Sequence, residues 1–227
     1  MDNAPMGKLI DREKRERAKK QRVERKRRIL HVARSTFARL PFVEVTLDTI
    51  GQRADVDRGV ASMYFRSKEE LFLLLLREEL GAWYTEIEDN LSDSESEISK
   101  SELAELLAAS LGDRPELIRF LSLENVVLEQ NIDAMEAFRF QRWRLDHMTK
   151  AGEKIDSEVD GLAEGDGLKI LHRVQLVSAA LGPASDPKGA ATYEVGDPAF
   201  AVFAVDFEDE LKSMITAVLA SWGKSQE

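Results

Sequence analysis

The 227-residue sequence predicts an all-α protein with a small N-terminal unit and a larger helical unit behind it. Three observations carry this. Apolar residues recur at helical spacing from Ile29 to Val218, helix-starting and helix-stopping residues stand between these stretches, and charge is divided unequally along the chain. The formal net charge is −10, from 32 Lys and Arg against 42 Asp and Glu. Residues 1–77 nonetheless hold 19 basic and 11 acidic side chains, net +8, whereas residues 78–227 hold 13 and 31, net −18. Only the first third suits a polyanionic partner.

Composition narrows the class further. Cysteine is absent, which excludes a disulfide framework or thiol nucleophile and fits a reducing cytosol. The longest apolar run, residues 71–76, is too short to span a bilayer, and the charged start lacks the pattern of a signal peptide. A cytoplasmic location without membrane contact is expected. Neither a phosphate-cradling glycine loop nor a His-Glu-x-x-His spacing occurs, so no cofactor, metal site or catalytic residue is expected.

Residues 1–24 read as a basic arm. From residue 8 to residue 28 the charge is mainly positive, opposed only by Asp11, Glu13, Glu16 and Glu24. No apolar stripe crosses this run, so it is either a solvated arm or a charged helix running into the next one. If the helices that follow read a duplex, it would follow phosphates or the minor groove; a merely solubilising tail is the alternative. Ile29, Ala33, Phe37 and Leu40 give the first core helix, terminated by Pro41. Leu47, Ile50 and Ala54 form a buried stripe on a second helix capped by Thr46. Asp55 takes the turn, and Asp57 caps a third helix over residues 58–65, with Ala61 and Phe65 inward and Arg58, Gly59, Ser62 and Met63 outward. Two short helices across so tight a turn make a helix-turn-helix, although the spacing also fits a hairpin inside an ordinary bundle. Ser67 and Glu70, at capping-box spacing, open a long helix at Lys68 that carries Leu71, Leu75, Leu76, Leu80, Trp83, Tyr84, Ile87 and Leu91.

With Ile50, Gly51, Ala54, Val56, Arg58 and Gly59 ahead of the Ser-Lys-Glu-Glu-Leu cap, residues 25–80 resemble the DNA-binding domain of the tetracycline-repressor (TetR) family of transcriptional regulators. Departures stand at Asp55, where the family usually has Gly, at Gly51, where Ala is usual, and at Val60-Ala61-Ser62, where Thr-Leu-Tyr is frequent. Ser62 gives up the reach of that tyrosine to the DNA backbone. The resemblance implies a three-helix helix-turn-helix DNA-binding domain over residues 25–72 and a helical effector-binding and dimerisation domain over residues 73–227. It implies double-stranded DNA as partner. Arg28, Arg53, Arg58 and Lys68 would meet phosphates, and Arg58, Gly59, Ser62, Met63 and Tyr64 would face the groove, with Thr46 at the cap beside them.

Beyond a polar loop over residues 92–101 the pattern stays helical. Leu103, Leu106, Leu107 and Leu111 give a helix closed by Gly112, and Pro115 opens one carrying Ile118, Leu121, Val126 and Leu128. A longer helix over residues 132–155 has Met135, Phe138, Leu145 and Met148 on its apolar side. After a glycine-rich break at residues 161–167, Leu168, Leu171, Val174, Gln175, Ser178 and Leu181 form another helix. A loop with Tyr193, Phe200 and Phe203 nearby leads to the last helix, which opens at Asp206 and Asp209.

In the family this domain encloses a ligand pocket. The resemblance implies a small apolar or aromatic effector against Trp83, Phe120, Asn125, Phe138, Gln141, Arg142, His147 and His172, each of which also fits an ordinary core aromatic or surface polar residue. It implies a homodimer through Leu171, Val174, Ser178, Leu181, Phe207, Leu211, Met214, Ile215, Val218 and Trp222, unless the last two helices merely complete the protomer's core. The function expected is a repressor that binds a near-palindromic operator as a dimer and is released by its effector. A constitutive DNA-binding dimer and a small helical enzyme built on Asp146, His147 and His172 are the alternatives.

Overall fold

Capping residues set the helix boundaries in both units. The computed structural model describes residues 4–56, 59–93, 96–185 and 204–220, and divides the chain into two compact units, Met1–Leu75 and Leu76–Glu227. Among the described residues the fold is helical, with one isolated parallel bridge between Ile98 and Val159. None of its helices is long and apolar enough to cross a membrane.

In the first unit the basic arm and the first core helix are one element, α1 (Ala4–Phe37). Ile29, Ala33 and Phe37 are buried on it, while Leu40 falls past its end and is only half-buried. A 3-10 turn, Phe42–Glu44, brings Phe42 edge-on to Phe37 and Phe72 at centroid separations of 6.4 and 5.2 Å. Next comes α2 (Leu47–Arg53), where Thr46 and Thr49 exchange side-chain and backbone bonds in a capping box. Asp55 occupies the turn at φ 51°, a left-handed conformation that Asp tolerates.

The third helix is shorter than expected. α3 spans Val60–Tyr64, because Gly59 at φ 84° cannot be helical and Phe65 at φ −136° is already extended. Asp57, the expected cap, lies outside the described residues. α4 (Lys68–Ser92) opens as expected on Ser67, whose Oγ accepts from the Glu70 N–H at 3.1 Å. The return bond from Glu70 goes to the Arg66 N–H, one residue earlier than a capping box has it.

The second unit contains α5 (Lys100–Gly112), α6 (Pro115–Leu123), α7 (Ala134–Glu158), α8 (Asp166–Ser185) and α9 (Phe207–Ala220). The expected continuous helix through Val126 and Leu128 is broken: α6 passes into a π turn, Glu124–Leu128, and then a 3-10 turn, Glu129–Asn131. α7 starts at Ala134 because the Asp133 carboxylate accepts from the Met135 N–H at 2.9 Å.

Its inward face differs from the expected one. Phe140, Arg144, Met148, Ala151, Gly152 and Ile155 are buried, whereas Met135, Phe138 and Leu145 are exposed. The cause is the crossing with α8. A Cβ on Gly167 would lie 2.2 Å from the Gly152 carbonyl oxygen, so the two backbones touch there and Gly152 must point inward. The Asp156 carboxylate secures the crossing by accepting from the N–H groups of Gly165 and Gly167 at 2.7 and 2.6 Å.

Two glycines give opposite expectations. A methyl on Gly51 would meet Ala61 Cβ at 3.5 Å and Val56 Cγ2 at 3.6 Å, ordinary contact inside a helix. Gly51→Ala should therefore stabilise by about 0.5–1 kcal/mol. Gly167→Ala, with no room, should cost about 1–3 kcal/mol. Urea midpoints of the two variants, displaced in opposite directions from the parent, check both.

Candidate functional site

α3 is five residues long, too short to hold itself together, so it depends on the elements it packs against. Ala61 and Phe65 are buried beneath it, 2% and 3% exposed, as their spacing indicates. Gly59, Ser62 and Met63 face solvent, Met63 at 79% exposure, and Tyr64 is half-buried beside them. Arg58 lies outside the described residues. Arg28 and Arg53 are exposed, and Arg53 Nη1 donates to Thr36 Oγ1 at 3.2 Å. Thr46 is exposed, but its hydroxyl is engaged in the α2 cap, where it accepts from the Thr49 N–H at 3.1 Å.

Lys68, expected on a phosphate, is turned inward instead. Its ammonium donates to the Phe42 carbonyl at 2.9 Å and sits 4.2 Å from the centroid of the Phe42 ring. This fastens the first turn of α4 to the 3-10 turn, because a half-buried ammonium gains more from a carbonyl and a ring face than it would lose.

In the second unit, four elements bring polar groups to one buried place. Arg144 of α7, 6% exposed, pairs through Nη1 with Glu124 at the start of the π turn. Its Nη2 donates to Gln175 Oε1 of α8 at 2.8 Å. The Gln175 amide nitrogen donates to the Tyr84 hydroxyl of α4 at 3.0 Å and lies 3.4 Å from Met148 Sδ. Among the described residues, Arg144 Nε has no hydrogen-bond partner. Burial pushes the Tyr84 phenol up to about 12, so it keeps its proton at neutral pH. Burial likewise raises the Glu124 carboxyl, to about 7, with Arg144 pulling the other way. Beside this cluster, the indole N–H of Trp83 donates to Ser110 Oγ at 3.0 Å.

Most of the expected effector residues lie elsewhere. Trp83 and Phe120 are fully buried in this interior. Phe138, Gln141, Arg142 and His147 are exposed on α7, because the α7–α8 crossing turns that face of α7 outward, and His172 is exposed on α8. Arg142 faces Asp146 at 3.8 Å, and His147 Nδ1 is 2.9 Å from the Trp143 carbonyl. The side chain of Asn125 lies outside the described residues.

Two family descriptions match the sequence in succession. Residues 29–75 match "Bacterial regulatory proteins, tetR family" and residues 77–220 match "Tetracyclin repressor-like, C-terminal domain". The chain belongs to the TetR family. It is a transcription regulator of that family, and its fold is shared by solved relatives. The regulator FadR from Bacillus subtilis, solved in complex with stearoyl-CoA, superposes with a TM-score of 0.53 at 16% identity, covering 86% of this chain and 97% of that one. FadR from Bacillus halodurans, described as a fatty acid degradation regulator, gives 0.53 at 14% identity, covering 89% and 97%. No curated protein matches the sequence.

This TetR-family chain uses much of its expected dimer surface internally. Leu171, Val174, Ser178 and Leu181 on α8 and Leu211 and Ile215 on α9 are buried within the protomer. α9 packs on α5 and α8, and α8 on α6 and α7, so these side chains are engaged largely within the protomer. Met214 is exposed, Phe207 and Val218 are half-buried, and Trp222 lies outside the described residues.

Tyr84, Glu124, Arg144 and Gln175 were not among the expected site residues. One signal was legible: Arg144 stands four residues from both Phe140 and Met148, a charge inside an apolar stripe. Such a charge needs a partner.

The buried carboxyl makes stability pH-dependent. The folded chain holds the Glu124 proton more tightly than the unfolded one, between the ordinary value of 4.5 and about 7. Folding thus takes up a proton in that window, and this contribution to stability falls as pH rises through it. Urea midpoints from pH 5 to pH 8 should decline more for the parent than for Glu124→Gln. Equal slopes would mean that Glu124 does not titrate there.

Proposed function

We propose that this TetR-family regulator is a repressor that binds a near-palindromic operator as a homodimer and is released by a small effector held in its second unit. The observation that carries the reading is the outward face of α3, where a Met at 79% exposure stands beside Gly59 and Ser62 in a segment of net charge +8. Met63 offers apolar contact, as to a thymine methyl, and Ser62 offers a short donor and acceptor. Arg28, Arg53 and Arg58 supply phosphate contacts.

For the dimer, the exposed apolar side chains of α8 and α9 are the candidates. Leu176 and Met214 are 47% and 38% exposed there, with Ala180 exposed on the same α8 stripe as Leu176. Two large apolar side chains facing water on neighbouring helices suit a second copy.

For the effector, the cluster of Tyr84, Glu124, Arg144 and Gln175 among buried aromatics offers an apolar surround with convergent polar groups. One structural relative was solved with stearoyl-CoA, which makes a long-chain acyl thioester the first effector to try. An effector releases DNA only if it binds the DNA-incompetent state better.

Met63→Glu should weaken binding to a duplex selected from a random pool by the wild-type protein at least tenfold, with the helical circular dichroism unchanged. Fluorescence anisotropy reads this, and an unchanged affinity would remove α3 as the reading element. In the same assay, stearoyl-CoA at constant salt should release the duplex; if no small molecule in an acyl or aromatic series does so, the constitutive dimer is the better description. Leu176→Asp with Met214→Asp should convert a dimer to a monomer by sedimentation, and a double variant that stays dimeric would place the interface elsewhere.

A further inference from the structure

The arm is a helix, and one stripe of it lies beside α3. Ala18, Gln21, Arg22 and Arg25 stand at i, i+3, i+4 and i+7, one face of α1, and that face continues into the buried residues Ile29 and Ala33. With Val60, Met63 and Tyr64 of α3 they line an open groove of about 470 Å³. Among the described residues the lining holds two guanidinium groups and no carboxylate. A second groove of about 350 Å³ on the other flank, lined by residues that include Arg25, Arg28 and Val60, carries Glu24 and Asp55 as well and is the less cationic of the two. Of these two grooves, the one that contains Met63 is the more cationic.

The helical form adds reach. From Arg12 to Arg25 the axis runs about 20 Å at a rise of 1.5 Å per residue, a little over half of a duplex turn. A flexible tail of the same composition would lose conformational entropy on binding, whereas these residues are held in a helix continuous with the core.

We propose that the α1 arm is a second DNA-contacting element, with Arg22 and Arg25 on phosphates beside the bases that α3 faces and the basic turns N-terminal to them on the backbone beyond. This rests on the DNA-binding reading of α3 and extends it to residues that reading does not include. The groove's occupant is the same duplex, because two exposed guanidinium groups next to an exposed apolar side chain match a phosphate backbone bordering base edges.

The test uses the full chain and a fluorescein-labelled duplex selected from a random pool by the wild-type protein, with affinity measured by anisotropy across salt concentrations. Arg22→Ala with Arg25→Ala should weaken binding about tenfold or more near physiological salt. The slope of log affinity against log salt should become shallower by about 2, since each neutralised phosphate contributes roughly 0.9. Arg22→Lys with Arg25→Lys should restore most of the slope. Both positions are exposed, so an unchanged thermal melt is expected for each variant. Unchanged affinity and slope in the alanine variant would overturn the proposal, as would failure of the lysine pair to restore the slope. If the wild type selects no duplex at all, the DNA-binding reading itself falls, an outcome distinct from loss of the arm's share alone.

Discussion

The contact between α7 and α8 at Gly152 and Gly167 decides the interior of the second unit. Where backbones approach so closely, the phase of a helix is no longer free, and α7 must direct Gly152 inward. Stepping back four residues at a time from Gly152 gives Met148, Arg144 and Phe140, all buried. An arginine is thereby carried into the core by a packing constraint two turns away. Glu124, Gln175 and Tyr84, which face it from the π turn, α8 and α4, are the partners that make its burial tolerable.

That tolerance is incomplete, and the shortfall is informative. Taking a guanidinium and a carboxylate out of water costs several kcal/mol per ion before their attraction returns it, and apolar replacements of equal volume are often as stable or more so. Here Arg144 Nε meets no hydrogen-bonding protein group among the described residues, and a buried charged donor left so is costly. The raised proton affinity of Glu124 is the same cost seen from the other partner. A core selected for stability alone has no need of this cluster. It joins the end of α6 to α7, α8 and α4, so a group competing for Arg144 would disturb four elements together. One of them, α4, contains both Leu75 and Leu76, where the units divide.

Local chemistry was legible in the sequence, and helix phase was not. The Thr46 cap, the helix start at Lys68, Pro115 in the first turn of α6 and the left-handed Asp55 all rest on interactions within a few residues, which the order of residues displays. α7 carries two apolar stripes, one through Met135, Phe138 and Leu145 and one through Phe140, Met148 and Ile155, and periodicity alone cannot rank them. The ranking comes from Gly167, on another helix. The same holds for Lys68, whose partner is a carbonyl 26 residues away, and for Leu171 and Leu211, whose apolar character fits a protomer core as well as a dimer seam.

The first unit reverses the economy of the second. A five-residue helix has almost no stability of its own, so α3 is a passenger on what surrounds it. Phe37, Phe42 and Phe72 make an edge-to-face aromatic cluster, Lys68 locks the 3-10 turn to α4, and residues at φ 51° and 84° fix where the chain leaves α2 and enters α3. Ala61 and Phe65 seat the helix and Gly59 supplies its left-handed entry, while Ser62 and Met63 face solvent. A framework that holds its shape without those two side chains leaves them free to be chosen by whatever lies opposite. This explains why an apolar Met can remain in water there without endangering the fold.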